Sequence, residues 1–237
     1  MGLYGQPQPT QSPPMVSPGA QPYALSEQGW PYCPWPNIAI VEDDSEDWLQ
    51  HLTQEAVRQQ RYNGALLLLD HLIERCPQRA SYYNNRGLVH LWCQHYVEAL
   101  ADFDDALQLD PQLDQAHNNR ATAYAALGCF ALAVADYERA LELNPFNTRT
   151  RINLGITWRD LDQLDRALMC LDEALLFYQL TEHAYAERGR TYHLRGDWNC
   201  ALADYRRSLG LLATRPMTAA AVALQQRVQG WIDELLP

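Results

Sequence analysis

The sequence predicts an all-α solenoid of five helical hairpins, closed by one further helix. Three observations predict it: a 34-residue period without insertions, small residues at two fixed places in each period, and large apolar residues at two others. The period runs from Glu46 to Arg215 and divides the chain into hairpins at 46–79, 80–113, 114–147, 148–181 and 182–215. Self-similarity at such a period is the mark of a repeat architecture, in which each unit buries its apolar face only by stacking on its neighbours.

The recurring positions define each hairpin. The twentieth is alanine in every unit (Ala65, Ala99, Ala133, Ala167, Ala201), and the eighth is small throughout (Thr53, Gly87, Ala121, Gly155, Gly189). Small residues at both places let two helix backbones approach closely. The seventeenth is bulky (Tyr62, Tyr96, Phe130, Leu164, Trp198), as is the twenty-fourth (Leu69, Phe103, Tyr137, Leu171, Tyr205). These fill the space between hairpins. Pro77, Pro111 and Pro145 stop the second helix and turn the chain into the next unit. Leu127-Gly128-Cys129 and Arg195-Gly196-Asp197 supply turn residues between paired helices.

Tyr83, Gly87, Ala99, Phe103, Ala106 and Pro111, copied as His117, Ala121, Tyr124, Ala133, Tyr137, Ala140 and Pro145, resemble the tetratricopeptide-repeat signature. The resemblance spans residues 46–215. It implies a right-handed superhelix whose first helices line a concave surface. The first unit departs with Leu49 and Ala56 where aromatic residues are usual. The fourth and fifth replace the closing proline with Gln179 and Ala213.

A charge pattern emerges from the copies themselves. Units two, three and five carry arginine at the seventh position (Arg86, Arg120, Arg188) and aspartate at the twenty-third (Asp102, Asp136, Asp204). Units one and four have leucine at the seventh (Leu52, Leu154) and Leu68 or Cys170 at the twenty-third. Charge accompanies charge, and apolar accompanies apolar. The matching predicts contact, with three half-buried structural ion pairs.

The segments flanking the repeats differ in kind. Leu224, Val228, Trp231 and Leu235 fall on one face of a helix within 216–237, expected to cap the last hairpin. Self-association through Trp231 is the other use such a face has. Residues 1–45 hold nine of the 14 prolines and read as a largely extended or disordered tail. Its Trp30-Pro31-Tyr32-Cys33-Pro34-Trp35-Pro36 stretch alternates aromatics with proline, a composition suited to docking in a groove. It could engage a partner, fold back onto its own scaffold, or pack on the first hairpin. Ser45 reads as a helix N-cap, with Glu46 and Asp47 in the first turn favouring the dipole.

Composition excludes several functions. The net charge of −11, with 18 arginines and no lysine, argues against general nucleic-acid binding. Cys33, Cys76, Cys93, Cys129, Cys170 and Cys200 lack metal-site or redox-motif spacing, so they read as small hydrophobes of a reducing compartment. No stretch approaches the length of a membrane span, and the N-terminus lacks a basic, apolar leader. A cytoplasmic location is expected. The seven histidines show no metal-ligand spacing, and no phosphate loop or nucleophile elbow is present. We expect no catalysis, no metal and no cofactor.

Function therefore rests on the concave surface that the family resemblance implies. The inward positions place Asn85, Leu88, Leu91 and Trp92 in unit two, Asn119 in unit three, and Arg149, Asn153, Ile156 and Arg159 in unit four. Arg190 and His193 follow in unit five. Asn85, Asn119 and Asn153 form a ladder; a carboxamide both donates and accepts, so it can grip a peptide backbone or bridge neighbouring helices. The apolar patch Leu88, Leu91 and Trp92 precedes the arginines. A fitting partner is an extended or helical protein segment with an apolar anchor and acidic residues. The resulting expectation is a protein-binding scaffold or assembly factor, monomeric by default. The alternative is a structural subunit docked through its convex face or its ends.

Overall fold

A computed structural model describes residues 45–214, 216 and 218–235, which fold into eleven helices with no strand among them. The proline-rich tail, including Trp30–Pro36 and Cys33, lies outside the described residues. The helices are α1 (Glu46–Arg58), α2 (Tyr62–Arg75), α3 (Ala80–Trp92), α4 (Tyr96–Leu109), α5 (Asp114–Ala126) and α6 (Phe130–Leu143). They continue as α7 (Thr148–Asp160), α8 (Leu164–Leu175), α9 (Thr181–Arg195), α10 (Trp198–Ala213) and α11 (Ala219–Leu235). Each helix packs on the next in sequence, and α3, α5, α7 and α9 also touch one another in series. That contact order is an all-α solenoid.

The hairpins close where the small positions predict close approach. The twentieth-position alanines are all fully buried. A Cβ on Gly87 would stand 2.7 Å from Phe103 Cε1, and one on Gly189 would stand 2.7 Å from Tyr205 Cδ1. These distances lie inside van der Waals contact. The aromatic at the twenty-fourth position thus lies directly on the backbone of the first helix.

Within each hairpin the turn uses one left-handed residue: Gln60, Gln94, Gly128, Asp162 and Gly196. The next amide reaches five residues back, as in His95 N to His90 O at 2.9 Å and Cys129 N to Tyr124 O at 2.9 Å. This bond closes the helix end and reverses the chain. Only two of the five turns use glycine, so the other three bear a left-handed cost of about 1 kcal/mol each.

Ser45 Oγ accepts from Trp48 N at 3.2 Å, capping α1. At the other end α11 lays Leu224, Val228 and Ile232 against Tyr205 and Leu212 of α10. Trp231 stacks on Tyr205 with ring centroids 5.8 Å apart. The apolar end of the last hairpin is thereby covered.

Candidate functional site

The layer of first helices is joined by amides. Asn119 Nδ2 on α5 donates to Asn84 Oδ1 on α3 at 3.0 Å, and Asn118 Nδ2 donates to Asn119 Oδ1 at 3.1 Å. From α7, Thr150 Oγ1 donates to Asn118 Oδ1 at 3.0 Å. One chain of hydrogen bonds therefore links three consecutive hairpins. Asn119 and Asn153 are buried, at 4% and 1% exposure, whereas Asn85 is exposed. The three ladder residues thus sit in unlike environments. Asn119 bridges helices, and Asn85 is accessible.

The apolar patch is partly committed to packing. Leu91 is buried with Ala99, Phe103 and Ala123. Trp92 is half-buried, its ring 5.9 Å from that of Tyr62 on α2. Leu88 is half-buried at the edge of the Phe103 cluster, and Ile156 is buried with Ile152 and Leu171.

The arginines divide in the same way. Arg149 is exposed on α7. Arg159 Nη1 donates to Glu187 Oε2 on α9 at 2.8 Å, and Arg227 Nη2 on α11 donates to Glu187 Oε1 at 2.9 Å. Glu187 is only 2% exposed, so a buried carboxylate holds two guanidinium groups from two other helices. Arg190 pairs with Glu234 of α11, and both Arg190 and Arg227 lie over the Trp231 ring. His193 Nδ1 stands 3.2 Å from Arg190 Nη1, and its ring meets that of Tyr205 edge-on. Burial, with the positive charge of Arg190 beside it, lowers the His193 pKa. The last helix thus engages the C-terminal end of the first-helix layer through charge as well as packing.

The seventh-position arginines are bidentate on their aspartates. Arg86 Nη2 meets Asp102 Oδ1 at 2.6 Å, Arg120 Nε meets Asp136 Oδ2 at 2.7 Å, and Arg188 Nε meets Asp204 Oδ2 at 2.6 Å. Sequence reasoning missed their other contact. The remaining nitrogen reaches back one hairpin, Arg86 to Asp70 at 2.7 Å, Arg120 to Asp104 at 2.6 Å, and Arg188 to Asp172 at 2.6 Å. Each arginine therefore fastens its own hairpin to the preceding one. A signal was available, because each has an aspartate sixteen residues before and sixteen after it. Hydrogen bonds to Asp102 and Asp136 raise the pKa of Arg86 and Arg120 still further.

A second accessible surface lies between α6 and α9. Phe146 and Tyr178 expose 71% and 86%, Leu176 is exposed two positions before Tyr178, and Phe146 meets Phe177 edge-on at 5.8 Å. Here unit four lacks its closing proline, α8 ends at Leu175, and Tyr178 and Leu180 adopt positive φ. Among the described residues no group of three or more metal-ligating side chains occurs. None of the described helices is long and apolar enough to cross a membrane.

Residues 80–113, 115–147 and 148–181 each match the tetratricopeptide repeat family. No curated protein matches the sequence. Among solved structures, TTC0263, a thermophilic tetratricopeptide protein of Thermus thermophilus, is 20% identical with a TM-score of 0.67. That match covers 79% of this chain and 99% of the other. MamA from Desulfovibrio magneticus RS-1, from residue 41 to its end, is 17% identical with a TM-score of 0.64, covering 73% and 98%. At these identities the likeness is one of fold.

Proposed function

Since the chain belongs to the tetratricopeptide-repeat proteins, we propose that it is a non-catalytic scaffold that holds a segment of another protein against its layer of first helices. The observation that carries this reading is the character of that layer. The buried chain from Asn84 through Asn119 and Asn118 to Thr150 holds the first helices in fixed register, so that the polar side chains on their open side are presented at set spacing. Asn85 and Arg149 provide accessible polar contacts, and Leu88 with Trp92 provides a half-buried apolar step. The matching ligand is an extended or helical segment with one apolar anchor and acidic residues. We place the protein in the cytoplasm as a monomer.

A second reading is favoured by Phe146, Leu176 and Tyr178, three large exposed side chains, the first of which packs its ring against Phe177 between the other two in sequence. An exposed apolar group of this kind suits a structural subunit docked by its outer edge. One experiment separates the two. Because Arg149 lines the same cavity as Phe146 and Leu180, the inner layer is probed at Asn85 alone: the full chain, an Asn85→Asp variant and a Phe146→Ser/Tyr178→Ser variant serve as baits, and captured proteins are identified by mass spectrometry. Loss confined to the first variant supports the inner layer. Loss confined to the second supports the outer edge and counts against the inner layer.

A further inference from the structure

The turn between α6 and α7 and the turn between α8 and α9 border an open cavity of about 590 Å³. Pockets that seat small groups have volumes of about 300–1,000 Å³. Phe146, Thr148 and Arg149 line it from the start of α7, and Gln179 and Leu180 line it from the later turn. Tyr178 and Leu180 hold left-handed backbone there, with φ of 54° and 50°.

Two polar lining residues are already engaged. Asn144 Nδ2 donates to Asp114 Oδ2 at 2.9 Å, and Asn147 Oδ1 accepts from Thr150 N at 3.1 Å, capping α7. Thr148 is different. It is 2% exposed, and its Oγ1 has no hydrogen-bond partner among the described residues. A buried hydroxyl left so costs stability, and native proteins keep few of them. Its place in the cavity lining points to a partner from outside the chain.

Charge gives the sign of that partner. The start of α7 carries the positive end of the helix dipole, with N–H groups that have no intrahelical acceptor. The first turns of α1, α5 and α9 hold acids, whereas that of α7 holds none and exposes Arg149. Arg151, further along α7, is matched by Glu173 at 2.5 Å. An anion seated between Thr148 and Arg149 meets a hydroxyl, a guanidinium and the dipole together. The apolar rim selects among anions. Phe146 is exposed with Phe177 edge-on beside it, and Leu180 lines the same cavity. An inorganic ion leaves these side chains in water, whereas an acidic residue with an aromatic neighbour covers them.

We propose that this cavity is a subsite for the side-chain carboxylate of an acidic protein segment, with Thr148 and Arg149 holding the acid and Phe146 meeting the apolar residue beside it. The proposal rests on the reading of the protein as a scaffold for protein segments. It fixes one ligand residue at the junction of the third, fourth and fifth hairpins.

The test is a magnetic-resonance titration of the isotope-labelled full chain with the capped peptide acetyl-Ala-Glu-Phe-Ala-amide, its Gln counterpart, and inorganic phosphate. The acidic peptide should shift the amides of Thr148, Arg149 and Gln179 to saturation, and the neutral one should bind about tenfold more weakly. Arg149→Gln, at an exposed position, should weaken the acidic peptide about tenfold and leave the neutral peptide unchanged. Thr148→Val should weaken the acidic peptide several-fold while the melting temperature holds or rises, because it removes an unpaired buried hydroxyl. Equal binding of the acidic and neutral peptides overturns the inference. So does phosphate bound as tightly as the acidic peptide, which marks a site for an adventitious ion only. A clear fall in the melting temperature of Thr148→Val also overturns it, since the hydroxyl then serves the fold. If Asn85→Asp abolishes protein capture while the acidic peptide shifts nothing at this cavity, the subsite falls and the scaffold reading stands. If the peptide binds as expected while neither Asn85→Asp nor Arg149→Gln alters protein capture, the subsite stands and the scaffold reading falls.

Discussion

Arg120 and Asp136 face each other as a bidentate pair, Nε to Oδ2 at 2.7 Å and Nη2 to Oδ1 at 2.7 Å, while the third nitrogen of Arg120 crosses to Asp104 of the previous hairpin. Asp136 is 7% exposed and Asp104 lies largely in solvent. The inner half of this clamp is therefore the costly one to break. Arg120→Ala leaves the buried Asp136 carboxylate with His117 Nδ1, 3.1 Å from Oδ1, as its remaining side-chain partner, and is expected to lower unfolding stability by up to about 3 kcal/mol in a denaturant titration. Units one and four solve the same positions with apolar pairs, so Arg120→Leu with Asp136→Leu should recover most of that loss. Recovery absent from the double variant contradicts the view that the two solutions are interchangeable.

Gly87 marks a backbone that Phe103 touches. A methyl group there meets Phe103 Cε1 at 2.7 Å and Ala99 O at 3.1 Å, and the carbonyl cannot move aside as a side chain can. Gly87→Ala should cost about 1–3 kcal/mol of stability despite the better helix propensity of alanine. The control is Gly128→Ala, where nothing lies near the added carbon and the cost comes only from a φ of +76°. That cost is about 1 kcal/mol. Melting curves of both variants distinguish packing from backbone strain.

Glu187 ties α7, α9 and α11 together through Arg159 and Arg227. Glu187→Leu removes the acceptor for both arginines, one of them mostly buried, and should destabilise by roughly 3 kcal/mol. The loss should be local: amide exchange in α11 accelerates more than in α3 or α5. Uniform acceleration across all helices is the contrary result.

Acid should weaken the fold through its histidines. Burial lowers the pKa of His90, His183 and His193 below 6.5, because each would have to charge in a poorly solvated place. A group depressed on folding binds fewer protons than in the unfolded chain, so its contribution is full above pH 6.5 and falls away as the pH drops below it. Glu46 and Glu55, lowered chiefly by hydrogen bonds from Tyr82 and Arg58, push in the same direction at still lower pH. Urea midpoints should be flat from pH 8 to 7 and decline below about 6.5. His183→Gln should flatten the upper part of that decline.

The comparison of sequence with structure has a physical pattern. Properties that repeat every 34 residues were legible, because stacking forces equivalent residues into equivalent surroundings; the fully buried alanines Ala65 to Ala201 are the clearest case. The reach of Arg120 to Asp104 follows the same sixteen-residue spacing as its bond to Asp136. What lay beyond sequence was the effect of unrepeated partners. Trp92 reads as an anchor from its helix face alone, whereas Tyr62 of the previous hairpin packs beside it. Position in the repeat makes Arg159 and Arg190 open cations, but α11, which has no copy elsewhere in the chain, brings Arg227 and Glu234 to their site. The turn after α8, where Tyr178 and Leu180 take positive φ, was signalled only by a missing proline.

The central claim is that partner proteins meet the first-helix layer. A photo-crosslinking residue placed in the full chain at Ala126, exposed near the end of α5, tests it against the same residue at Ala135, exposed on α6. The account predicts covalent capture of partner protein from Ala126 and little from Ala135; capture from Ala135 alone would contradict it.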